Sequence, residues 1–137
     1  MPYLRYADPA AAIRWLSQVF GAREGLRMTL PDGRIGHAEL SLGTGLITLG
    51  LTTEPASDTQ LPSRSTLTAM TLVFVDDVDA AAQRAVTGGG KHIDPAVNQP
   101  WGLRQAIVAD PEHQLWELST YLREVAPGDW GAEIIAP

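Results

Sequence analysis

Shifting the sequence by 69 positions lays its second half on its first. The shift carries Asp8 onto Asp77, Gly21 onto Gly90, Gly33 onto Gly102 and Leu49 onto Leu118, without a gap. These landmarks have different structural meanings. Asp8 precedes Pro9 and an apolar stripe of Ile13, Leu16 and Phe20 at helical spacing, so it reads as a helix cap, with Gly21 as the stop. Gly33 closes Pro31-Asp32-Gly33, a hairpin signal, and Leu49 lies in the strand that ends the unit. Coincidence of cap, stop, turn and strand points to duplication. Each copy reads as strand, helix, then three strands: 3–7, 8–21, 23–30, 34–42 and 46–51 in the first. The second runs from a strand at 68–75 through a helix ending at Gly88-Gly89-Gly90 to strands at 91–94, 103–109 and 114–121.

The predicted chain is therefore α+β, a single domain of two tandem βαβββ units. Unit 1 covers 1–52, a polar, proline-bearing linker covers 53–67, unit 2 covers 68–121, and a tail without repeat counterpart covers 122–137. Each half is too small to keep a core alone, whereas 137 residues together suffice. The absence of cysteine excludes disulfides, thiolate zinc sites and cysteine nucleophiles. A net charge of −6 leaves no basic stripe for nucleic acid. No run reaches the ~20 apolar residues of a membrane span, and the N-terminus lacks a signal-peptide core, so the expected location is the cytoplasm.

Several motifs carry a family resemblance over residues 3–121. They are Tyr3-Leu4-Arg5-Tyr6 before Asp8, Val75-Asp76-Asp77-Val78-Asp79-Ala80, and Gln99-Pro100-Trp101-Gly102-Leu103-Arg104. The closing Asp110-Pro111-Glu112-His113-Gln114-Leu115-Trp116 through Thr120-Tyr121 completes the set. With the tandem unit, these resemble the vicinal oxygen chelate superfamily, and within it glyoxalase-like and bleomycin-resistance-like proteins. His113 stands where that family usually has a turn glycine. The resemblance implies sheets curled into half-barrels with helices outside, a ligand site on the inner face, and a homodimer.

Metal enzymes of that superfamily place a histidine in the first strand of each unit and a carboxylate in the last. The corresponding positions here are Met1 or Pro2, Met70 or Thr71, then Thr48 and Glu117. One carboxylate is too few for a divalent ion, so neither a metal nor another cofactor is expected. Alternation in the third strand places Ile35, His37 and Glu39 on one face, toward the cavity, where the pair serves either as a strand hydrogen bond or as ligands. Glu117 shares a face with Leu115 and Ser119, while Trp116 and Leu118 face the helix. Arg104, the repeat mate of Ile35, is the expected partner of Glu117, as a structural ion pair or a polar ligand anchor. Trp101 either stacks on a planar ligand or packs against the tail or a second subunit. His92 and His113 are expected to face solvent, and Trp15, off the helical stripe, to pack between units or subunits.

The expected ligand-binding set is therefore His37, Glu39, Thr48, Trp101, Arg104 and Glu117. No serine nucleophile elbow or phosphate loop is present. The function expected is metal-free binding of a small molecule, planar or cationic, such as an antibiotic that is sequestered. The alternatives are a glyoxalase- or dioxygenase-type enzyme using His37, Glu39 and Glu117 as an atypical metal set, and a metal-independent lyase or isomerase with Glu117 or His37 as base.

Overall fold

The computed structural model describes residues 1–52 and 69–135; the linker expected at 53–67 lies outside the described residues. Unit 1 consists of β1 (Tyr3–Tyr6), α1 (Pro9–Phe20), β2 (Arg23–Thr29), β3 (Ile35–Leu42) and β4 (Gly45–Leu51). Unit 2 consists of β5 (Thr71–Phe74), α2 (Val78–Thr87), β6 (Lys91–Asn98), β7 (Leu103–Ala109) and β8 (Leu115–Tyr121), and a short 3-10 turn follows at Pro127–Trp130. Each unit forms a four-stranded sheet of the same order, β1-β4-β3-β2 and β5-β8-β7-β6. The outer pairs β1/β4 and β5/β8 are parallel and the rest antiparallel. This is the α+β tandem βαβββ architecture that the repeat predicts.

Both helices start as the sequence requires. The Asp8 carboxylate accepts from the Ala11 N–H and that of Asp77 from the Ala80 N–H, each at 3.0 Å. Their ends differ. Gly21 stops α1 in the left-handed conformation, but α2 ends at Thr87 and is capped by Gly88 at an ordinary φ. Gly90, the expected counterpart of Gly21, serves another need: a Cβ there would lie 2.5 Å from the Ala109 carbonyl oxygen. It is a point of close backbone approach, not a helix stop.

The units meet through α1 and α2. One apolar core joins them, with Leu16, Leu40 and Leu49 from unit 1 and Ala81, Val108, Trp116 and Leu118 from unit 2. Trp15 is buried at this junction, its indole N–H donating to the Ala85 carbonyl of α2 at 3.1 Å. The face of each sheet turned away from its helix is left open. Tyr3, Met28 and Leu46 stand half-exposed on the first and Leu72 and Phe74 on the second. No helix of the described residues is long and apolar enough to cross a membrane.

One strand is longer than its sequence suggests. β6 runs through Pro95 to Asn98, with register irregularities between His92 and Asp94 and between Asp94 and Val97. As the outer strand it needs no ladder hydrogen bond from Pro95, so the proline is absorbed instead of ending the strand.

A candidate ligand cavity on the second sheet

Strand β8 separates two chemistries by alternation. Trp116 and Leu118 face the helix and are fully buried, while Glu117 points to the open face beside Leu115 and Ser119. Glu117 stands opposite Leu72 of β5 and Ile107 of β7. It lines a cavity of about 480 Å³ together with Met70, Asp94, Trp101, Gln105 and Ile107. Carboxylates, amides, thioether, aliphatic carbon and an indole therefore share one wall system.

The Trp101 wall is held by a buried relay. Its indole N–H donates to Gln105 Oε1 at 3.0 Å, and Gln105 Nε2 donates to Ser119 Oγ at 2.8 Å. Gln105 and Ser119 face each other across β7 and β8 and are both buried. The tail supplies the other support. The Gly102 carbonyl accepts the Leu122 and Arg123 N–H groups, drawing the tail over the β6–β7 hairpin. Gly102 has φ +89°, and a Cβ there would overlap the Arg123 carbonyl oxygen. The same tail brings Trp130 edge-on to Trp101, ring centres 5.8 Å apart. Trp101 thus lines the cavity and also packs against the tail.

Arg104 is placed differently from its expectation. It binds Asp79 at the start of α2 through Nε and Nη2, at 2.8 and 2.9 Å, and donates to Asn98 through Nη1. The guanidinium hydrogen bond holds Asp79 below the usual carboxylate range. Arg104 lies opposite Thr120 and shares the helix-facing parity of Ala106 and Val108, so it neither pairs with Glu117 nor lines its cavity. Its repeat mate Ile35 is likewise on the core side, buried with Ala38 and Leu40, and not on the face of His37. The β2–β3 register shifts between Met28 and Thr29, opposite His37 and Ile35. Alternation fails across that irregularity.

The remaining expected residues belong to the first sheet. His37 Nε2 lies 3.6 Å from Glu39 Oε1, and the His37 ring stands 6.2 Å from that of Tyr3. Thr48 is opposite both Tyr3 and Glu39; it is buried, and its hydroxyl has no hydrogen-bond partner among the described residues. His37, Glu39 and Thr48 therefore form one polar group on sheet 1, while Glu117 and Trp101 belong to sheet 2. His92 is exposed, but His113 is half-buried, in the left-handed turn between β7 and β8.

The positions at which related metal enzymes carry ligands hold Met1 or Pro2, Met70 or Thr71, Thr48 and Glu117. That donor set, one carboxylate among thioethers and hydroxyls, does not fit a divalent ion. His37, Glu39 and Glu117 are not gathered either, and among the described residues no three His, Asp or Glu side chains converge on a possible ion.

Asp94 and Gln105 are cavity residues that sequence reasoning passed over. Gln105 was within reach. The β7–β8 hairpin pairs Ala109 with Leu115, and counting back in step sets Ile107 against Glu117 and Gln105 against Ser119. Asp94 sits at the β6 irregularity, where no periodicity could assign it a face.

The fold has known relatives. Residues 3–118 match the family model for the Glyoxalase/Bleomycin resistance protein/Dioxygenase superfamily. The chain is 33% identical over 127 residues to the uncharacterized protein Mb0911c of Mycobacterium bovis, covering 90% of this chain and 84% of that one. Among solved structures it is similar to TioX from Micromonospora sp. ML1, with TM-score 0.68 and 36% identity over 89% of this chain and 98% of that chain. It also shares its fold with the fosfomycin resistance protein FosX of Mesorhizobium loti, at TM-score 0.62 and 18% identity over 87% of each chain. From family model, sequence relatives and fold alike, this chain belongs to the Glyoxalase/Bleomycin resistance protein/Dioxygenase superfamily.

Proposed function

We propose that this chain binds a small planar or cationic molecule, without a resident metal, in the cavity between Glu117 and Trp101. The observation that carries the reading is the composition of that cavity. Two carboxylates, Asp94 and Glu117, line it together with the Trp101 indole and apolar side chains, in a volume of about 480 Å³. Cavities of this size suit drug-sized ligands. An indole face attracts cations and stacks on flat rings, and a partly buried carboxylate favours a cationic or N–H-bearing group over an anion. Sequestration of an antibiotic is the version of this function that fits the family. The half-exposed apolar residues on both open sheet faces fit a homodimer, in which copies would cover them.

Bleomycin-type and other planar antibiotics are the probes for the drug-binding version. Titration should quench or shift tryptophan emission, and Glu117→Gln should weaken binding of a cationic probe by about tenfold, the value of one charge-assisted hydrogen bond. Unchanged emission across the panel would overturn antibiotic binding. Metal analysis of protein purified without chelator and then supplemented separates the enzyme alternative: stoichiometric Ni, Zn, Fe or Mn would overturn the metal-free reading.

A further inference from the structure

The cavity's polar pattern narrows the ligand further. An indole N–H can only donate, so the group of Gln105 that meets Trp101 must be the amide oxygen, and the NH₂ must point to Ser119. The amide orientation is thereby fixed by its neighbours' chemistry. Its NH₂ carries two hydrogens. One is used by Ser119 Oγ; the other has no partner among the described residues, although Gln105 is 6% exposed and lines the cavity. Glu117, an acceptor when ionised, is the diagonal neighbour of Gln105 across β7 and β8. Such neighbours lie about 7–8 Å apart, within the span of a ring and its substituents.

We infer that the cavity recognises a planar ring carrying a hydrogen-bond donor and an acceptor side by side, the donor to Glu117 and the acceptor to the second N–H of Gln105, with the ring against Trp101. Gln105 is then both a contact and the residue that positions the indole wall. An acceptor-only ring leaves Glu117 without a donor, and a donor-only ring leaves a desolvated amide hydrogen unpaired. Either loss is costly once the bound ring excludes water from these groups. This inference rests on the proposed small-molecule function.

Three bicyclic rings of nearly equal size test it: indole (donor only), 1-indanone (acceptor only) and oxindole (both, adjacent). Binding is read from the indole N–H resonances of the four tryptophans in ¹⁵N-labelled protein, with Trp101 assigned through Trp101→Phe. Oxindole should bind at least about tenfold more tightly than either single-function ring, and should move the Trp101 resonance most. In Gln105→Leu the preference of oxindole over indole should fall to less than about threefold, whatever the variant's overall affinity for the rings. Unshifted Trp15 and Trp116 resonances in that variant report an intact core. Equal binding of the three rings by the unaltered protein would overturn this inference alone. Failure of all three to bind would overturn it together with the proposed function.

Discussion

At the scale of single residues, the most constrained group is Tyr6. It is 1% exposed, and its hydroxyl donates to Asp110 Oδ2 at 2.6 Å. Asp110 is also buried, and it takes three further donors: the Trp116 indole and the backbone N–H groups of Glu112 and Gln114. Burial raises the Asp110 carboxyl above its usual range, against the pull of those donors. Burial, reinforced by the neighbouring Asp110 charge, pushes the Tyr6 phenol far above its ordinary value. The linkage has a definite sign. From about pH 10 upward the unfolded phenol ionises while the folded one stays protonated, so the folded state holds the extra proton. Stability should then fall by about 1.4 kcal/mol per pH unit from this group. Tyr6→Phe should cost about 1–2 kcal/mol at neutral pH, because Asp110 loses a buried donor, and should remove that alkaline slope. Urea unfolding at pH 7, 10 and 11 checks both; an unchanged slope in the variant would contradict the assignment.

At the scale of elements, the β7–β8 turn shows what could and could not be foreseen. His113 stands where a glycine was expected, and it adopts φ +70°. The turn keeps the glycine geometry and carries the side chain at a cost. His113→Gly should therefore stabilise the protein by about 0.5–1 kcal/mol, relief of left-handed strain outweighing the added freedom of the unfolded chain. Thermal unfolding reads this as a higher midpoint, and a lower one would show that the imidazole's contacts matter more than the strain. Strand identity was legible because β-branched runs, turn glycines and the repeat agree, and the Trp116/Glu117/Leu118 alternation gave the correct faces. What failed was transfer across irregularities. Ile35 lies beyond a register shift from His37, so it faces the core and not the cavity, and Arg104, its repeat mate, follows it to the helix side. Local pattern carries no information about where a ladder slips, since that depends on the partner strand. The relay from Trp101 through Gln105 to Ser119 is the opposite case: β7 and β8 pair without a slip, so the hairpin register alone sets Gln105 against Ser119.

At the scale of the whole molecule, the two units are bound by contacts that neither could make alone. Trp15 of α1 packs edge-on against Phe20, its ring 6.3 Å from that of Trp116, and donates to the Ala85 carbonyl of the other unit. Arg84 of α2 donates to the Val19 carbonyl. The Glu112 carboxylate accepts the Ala7 and Asp8 N–H groups at the start of α1, and Tyr6 reaches Asp110. A repeat of this size cannot enclose a core by itself. Separation would expose Trp15, Leu16, Trp116 and Leu118, all now at most 2% exposed. The chain should therefore unfold in one step, and Trp15→Ala should lower the stability of both units together by about 3–5 kcal/mol. The two halves carry their own reporters for this test, Tyr6 and α1 in unit 1 and Trp116 in unit 2. Hydrogen exchange read at the α1 amides and at the Trp116 indole N–H should give coincident transitions in the parent and, at lower denaturant, in the variant. Loss of unit 1 protection at a denaturant concentration where Trp116 remains buried would show instead that the duplicated units retain separate stabilities.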